Sequence, residues 1–132
     1  MAKVLVVEDD EDILALVQAR LRKAGHQVMT ADSAPAALGL IENRGAPDVA
    51  VLDVGLPGLD GLGLLDAIRE RPGLTAMPAV FLSARVLPED VAEGRARGAT
   101  YLTKPFVASA LLSAVETALA GAEGPSTSPE GW

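Results

Sequence analysis

The sequence contains no cysteine. That excludes a disulfide framework, thiolate-held zinc or iron–sulfur sites, and a Cys nucleophile. The one histidine, His26, is too few for a multi-histidine metal site or a histidine relay. Aromatic side chains are scarce as well: Phe81, Tyr101, Phe106 and Trp132 are all there are, so the core must be built from Leu, Val, Ile and Ala. Basic residues number 11 against 18 acidic ones, for a net charge of -7. They are scattered, which leaves no basic stripe for nucleic acid or anionic lipid. No apolar run approaches the ~20 residues of a membrane-spanning helix. The opening MAKVLVV passes directly into an apolar run and then into acid, where a signal peptide would need a small-residue cleavage site. The expectation is a soluble, cytoplasmic chain without direct nucleic-acid or membrane contact. Its 132 residues suit one domain with a sizeable core.

What is present is an alternation. Residues 4–7, 28–31, 49–52, 79–82 and 101–102 are short, mostly apolar runs rich in Val and Leu, the signature of strands covered on both faces. Between them lie helical patterns. Ile13, Leu14, Val17 and Leu21 share one stripe, and Gly25 stands where that helix stops. Ser33 and Pro35 open a second helix with Ala37, Leu38 and Ile41 inward. Asp60 opens a third containing Leu62, Leu65 and Ile68. A fourth covers 88–97 and is stopped by Gly98. A fifth covers 108–119, with Leu111, Leu112, Val115 and Leu119 inward. Five strands alternating with five helices predict an α/β fold, a doubly wound parallel sheet with helices on both faces. The stretch from 121 to 132, GAEGPSTSPEGW, is Gly, Pro and Ser rich and reads as a flexible tail or the start of a linker. Residues 1–120 form the domain.

Such a sheet directs the C-terminal end of every strand to one edge, where sites form. The first strand ends in Glu8, Asp9 and Asp10, the third in Asp53, the fourth in Ser83 and the fifth at Lys104. Asp32, after the second strand, lies off to the side. Three ionised carboxylates gathered closely require a cation. Oxygen ligands without His or Cys favour a hard ion, Mg²⁺ or Mn²⁺. A metal among carboxylates, beside a hydroxyl and an ammonium, is a set of parts for phosphoryl transfer.

In order along the chain, VLVVEDD, VLDVGLPGLDG, FLSA and YLTKPF resemble the response-regulator receiver domain of two-component signalling. The likeness covers Lys3 to Leu119. It implies a flavodoxin-like (βα)5 fold with strand order 2-1-3-4-5. It also implies that Asp53 is the phosphoacceptor, and that Mg²⁺ is held by Asp9, Asp53 and the Gly55 carbonyl, with Glu8 acting through water. Ser83 and Lys104 would bind phosphoryl oxygens. Tyr101, with Ser83, would be the switch pair. Gly55 and Arg85 would set how fast water removes the phosphoryl group. The implied donor is a histidine kinase or a histidine phosphotransfer protein. The implied output is a change in the face made by the fourth helix, fifth strand and fifth helix, which passes the signal to a downstream protein or domain or forms a phosphorylation-dependent dimer. The protein would promote its own phosphorylation and dephosphorylation without being a turnover enzyme. One departure stands out: GATYLTK, from Gly98 to Lys104, is a residue shorter than the family's commonest pattern.

Plainer roles exist for the same residues. Asp53 could cap a loop, Ser83 could simply end a strand, Lys104 could be a surface lysine and Tyr101 a core aromatic. Asp10 and Glu11 read as solvated charges at a helix start, Asp12 as the residue that favours the helix dipole, His26 as a surface residue, and Gly94 as a weak spot in the fourth helix. Among rival functions, a flavin or nucleotide binder needs a phosphate-cradling loop after the first strand, where this chain places EDDED. A haloacid-dehalogenase-like phosphatase would use Asp10 and Asp12, and leaves Asp53 unexplained. A degenerate receiver used only for docking would not need the full residue set.

Overall fold

A computed structural model describes residues 2–84 and 87–127, with side chains through 121. The chain alternates strand and helix: β1 (Lys3–Val7), α1 (Glu11–Lys23), β2 (Gln27–Ala31), α2 (Ala34–Arg44), β3 (Val49–Asp53), α3 (Gly61–Arg69), β4 (Ala79–Ser83), α4 (Pro88–Ala96), β5 (Thr100–Thr103) and α5 (Ala108–Thr127). All strand pairs are parallel, in the order β2-β1-β3-β4-β5. The predicted fold class and strand order are both observed.

Because strand side chains alternate between faces, each fully covered strand feeds two cores. Leu5, Val7, Ala50, Leu52, Ala79 and Phe81 face one side, where they meet Ala37 and Ile41 of α2 and Leu64, Leu65 and Ile68 of α3. Val4, Val6, Val49, Val51, Val80 and Leu82 face the other, against Val17 and Leu21 of α1 and Leu111 and Val115 of α5. The expected inward residues Ile13, Leu14, Leu38, Leu62, Leu112 and Leu119 are only partly buried and line the rims of these cores.

Helix starts follow local chemistry. Ser33 accepts from the Ala36 amide at 3.3 Å and Asp60 from the Gly63 amide at 2.8 Å. At α1 the cap is Asp10, which accepts from Asp12 and Ile13 amides at 2.9 and 3.0 Å, so Asp10 rather than Asp12 satisfies the helix start. Helix α5 continues past Gly121 to Thr127. The segment TALAGAE is rich in alanine, the strongest helix former, and it carries the helix into the stretch whose composition suggested a tail; residues 128–132 lie outside the described residues. His26 is half-buried, its Nδ1 accepting from the Ala2 amide at 3.1 Å, so it ties down the first strand instead of standing free in solvent. The described residues contain no helix long and apolar enough to cross a membrane.

Candidate functional site

Register alone assembles the site. Val7 pairs with Leu52, so the next residues, Glu8 and Asp53, leave neighbouring strands side by side. Asp53 pairs with Leu82, and Ser83 pairs with Thr103. Lys104 follows, its amide donating to the Ser83 carbonyl at 2.7 Å. The chain runs outward from β1 to β2 and then returns to the other side of β1 as β3. Glu8 and Asp53 therefore flank the point where strand order reverses, the usual crevice of such sheets.

The side chains converge as the strand ends require. The Lys104 ammonium lies 2.8 Å from Glu8 Oε1 and 3.2 Å from Asp53 Oδ1. Glu8 and Asp53 are buried, at 1% and 5% exposure, as is Ser83. Asp9 is exposed at the mouth. Carboxylate oxygens of Glu8, Asp9 and Asp53 all lie within 4.8 Å of one another. Asp53 Oδ1 also accepts from the Gly55 amide at 3.2 Å, and Glu8 Oε2 accepts from the Asp10 amide at 3.2 Å. Gly61 closes the loop behind: its amide donates to the Val54 carbonyl, and a methyl group on it would lie 2.9 Å from the Asp53 carbonyl carbon. Only glycine lets α3 start that close to the residue it supports.

Electrostatics distinguishes the acids. Burial is the main influence on Glu8 and raises its pKa to about 7; the ion pair with Lys104 opposes this, and Asp53 adds to it. On Lys104, burial pulls the pKa down, but Glu8 and Asp53 together outweigh it and leave the ammonium above the ordinary lysine value. Among the described residues the cluster thus holds one permanent cation beside three acids, a local excess of negative charge. Glu8 Oε1 is buried with the Lys104 ammonium as its partner, and every donor in the cluster is oxygen. Two ligands of a single Mg²⁺ lie at most ~4.2 Å apart, a separation comparable to that of these oxygens, which all lie within 4.8 Å of one another. The residues present fit a hard divalent cation.

Other candidates fall as follows. Tyr101 is half-buried beside Phe81, with ring centroids 6.4 Å apart. Phe81 and Tyr101 pair in register, as do Ser83 and Thr103, so Ser83 and Tyr101 share one sheet face. The β4–β5 register runs without interruption from Thr100 to Thr103. Gly98, at φ 67°, turns directly into the strand, and the Ala99 amide bonds the Gly94 carbonyl at 3.0 Å. A side chain on exposed Gly55 would stand 3.9 Å from Asp53 Oδ1. Arg85 lies outside the described residues. Glu11 and Asp12 are exposed on α1.

Two features were not anticipated. Gly94, expected as a mere weak spot, is buried against the Tyr101 ring. Arg97 joins α4 to α3, with Nε and Nη2 on Asp66 at 3.1 and 2.9 Å and Nη1 on Glu93 at 2.7 Å. Only the Glu93–Arg97 pair, four residues apart, follows a local pattern; the burial of Gly94 and the bond to Asp66 depend on how α4 lies on its neighbours.

Comparison with known proteins agrees with this fold. Residues 4–116 match the family model described as response regulator receiver domain. The transcriptional regulatory protein PrrA of Mycobacterium tuberculosis is 42% identical over 119 residues, covering 89% of this chain and 49% of PrrA; the chain spans about half the length of such relatives. Protein PilH of Pseudomonas aeruginosa is 31% identical, covering 92% of this chain and 100% of PilH. The solved chemotaxis protein CheY4 of Vibrio cholerae has a TM-score of 0.83 at 35% identity, covering 90% of this chain and 99% of CheY4. With the family model spanning most of its length and the acidic pocket at the sheet's reversal point, the chain belongs to the response regulator receiver domain family.

Proposed function

We propose that this chain is a phosphorylation-dependent signalling switch whose phosphoacceptor is Asp53. The observation that carries this reading is a buried carboxylate at a strand end, held 3.2 Å from an ammonium and within 4.8 Å of two further acids. An Asp53 oxygen attacks the phosphorus of a partner's phosphohistidine. The O–P bond forms, the P–N bond breaks, and its electron pair leaves on the imidazole nitrogen. Lys104 exchanges its hold on Asp53 for a phosphoryl oxygen, and the Ser83 hydroxyl donates to another. Asp9, Asp53 and the Gly55 carbonyl would hold Mg²⁺, or Mn²⁺, with Glu8 behind them through water; when bound, the cation neutralises charge on the phosphoryl oxygens. Gly55 and Arg85 are proposed to govern attack by water, which returns Asp53 to its free form.

The output follows from the shared face of Ser83 and Tyr101. Ser83, drawn towards the new anion, changes the packing available to Tyr101 and so the surface of α4, β5 and α5. This is a two-state element biased by a local charge. A histidine kinase or histidine phosphotransfer protein supplies the phosphoryl group, and a downstream protein, domain or second copy reads the changed face. The chain assists its own phosphorylation and dephosphorylation and turns over no other substrate. Asp10, the nucleophile that a haloacid-dehalogenase-like reading requires, accepts two helix-start amides, which supports the switch reading.

The test is mass spectrometry after incubation with Mg²⁺ and acetyl phosphate. Wild type gains one phosphoryl group and Asp53→Asn gains none. Equal gain in both, or gain in neither, overturns the assignment.

A further inference from the structure

Helix α4 reads PEDVAEGRA, and of its nine residues Gly94 is the buried one. A glycine inside a helix lowers the folding equilibrium by about fivefold relative to alanine, so a glycine at the helix's point of contact needs a compensating cause. The contact supplies one. A Cβ on Gly94 would lie 2.9 Å from Tyr101 Cδ2, 3.7 Å from Cε2 and 3.5 Å from Phe81 Cδ2. The first of these distances is shorter than carbon atoms tolerate, and the nearest atom belongs to a ring that can swing about its own side-chain bonds. An alanine would therefore displace the ring rather than the sheet.

We propose that Gly94 is the positioning residue for Tyr101: its missing side chain is the seat that lets the ring lie inward against Phe81 beneath α4. The proposal rests on the switch reading and deepens it. Ser83, Phe81 and Tyr101 lie on one sheet face, and Gly94 closes that row from the helix side. The seat is thus the place where a change at the phosphorylation site reaches α4. With the seat filled, the ring is held outward whatever the state of Asp53, and the α4–β5 surface no longer follows phosphorylation. Gly94 touches neither Asp53 nor the acids around it, so chemistry at the site continues.

Tyr101 is the only tyrosine in the chain, which makes the test direct. Wild type and Gly94→Ala are labelled with 3-fluorotyrosine and their single ¹⁹F resonances compared in H₂O and D₂O, with and without Mg²⁺ and beryllofluoride. Gly94→Ala should move the resonance and enlarge its solvent-isotope shift in the unmodified protein, while acetyl phosphate still adds a phosphoryl group as in wild type. An unchanged resonance and isotope shift overturn the seat. A wild-type resonance that ignores beryllofluoride, while Gly94→Ala still moves it, overturns the switch reading and leaves the seat standing. A stability cycle guards against a variant that folds poorly. In a Tyr101→Ala background, Gly94→Ala should raise the folding constant about fivefold, as helix propensity dictates; with Tyr101 present that gain should vanish or reverse. A Gly94→Ala chain too unstable to titrate beside a folded double variant also supports the seat. Equal gains in both backgrounds overturn it.

Discussion

Glu8 is the most consequential single residue after Asp53. Its carboxyl is buried, and its pKa in the folded chain is about 7, against 4.5 when unperturbed. The folded state therefore binds more protons than the unfolded chain between those values. A raised folded pKa means stabilisation that is complete below about 4.5 and is lost as pH rises through 7. In metal-free buffer, the unfolding free energy should fall across that window by on the order of 2 kcal/mol from this group. Glu8→Gln should flatten the slope, as urea titrations at successive pH values would reveal. An equal slope in both proteins would mean that Glu8 is ionised throughout. Lys104 is the counterpart. Lys104→Met leaves Glu8 and Asp53 buried together without their cation, and should cost about 1–3 kcal/mol at pH 8. The cost should shrink at pH 6, where Glu8 takes up a proton instead. A pH-independent loss would assign the effect to packing of the lysine stem. Phosphorylation by acetyl phosphate should slow in this variant at either pH.

At the scale of elements, the acidic run after β1 divides into neighbours with different tasks. Asp9 points to the mouth and joins the carboxylate cluster; Asp10 caps α1. Asp10→Ala should cost about 1 kcal/mol of stability and leave phosphorylation intact, whereas Asp9→Asn should abolish Mg²⁺-dependent phosphorylation with little loss of stability. Parallel measurement of melting and phosphoryl uptake separates them, and a reversal of the two phenotypes would exchange the roles. The gathering of the acids was legible in the sequence because it depends on short-range rules, whereas the cap at Asp10, read there as a solvated charge, was not. Apolar runs with turn signals between them marked the five strands, and parallel strands bring Glu8, Asp9, Asp53, Ser83 and Lys104 to one edge without knowledge of a single distance. Helix α4 was different. It has no apolar stripe, its start at Leu87 has no side-chain cap, and it is held by Gly94 against an aromatic ring and by Arg97 on Asp66 of α3. The pairing of Arg97 with Asp66 crosses 31 positions, and no periodicity within either helix encodes it. Nor could the order of the acids say that Lys104 would pair more closely with Glu8 than with Asp53, which follows from register and burial.

For the molecule as a whole, two aliphatic cores clamp a sheet whose C-terminal edge carries a concentration of negative charge. Packing supplies the stability, and the site draws on it by holding Glu8, Asp9 and Asp53 together. A divalent cation that binds the folded chain and not the unfolded one returns that stability by mass action, about 1.4 kcal/mol for each tenfold excess over its dissociation constant. The melting temperature should therefore climb with Mg²⁺ concentration in wild type and stay flat in Asp9→Asn. Protons compete with the cation for Glu8, whose folded pKa is about 7. Added Mg²⁺ should consequently stabilise the chain more at pH 8 than at pH 6, reversing the decline expected in metal-free buffer. Glu8→Gln should lose that pH dependence while retaining part of the Mg²⁺ response through Asp9 and Asp53. Thermal melts over a grid of Mg²⁺ and pH test both couplings at once. A Mg²⁺ response identical at the two pH values would detach Glu8 from the cation, and no response in wild type would detach the whole acidic cluster from it.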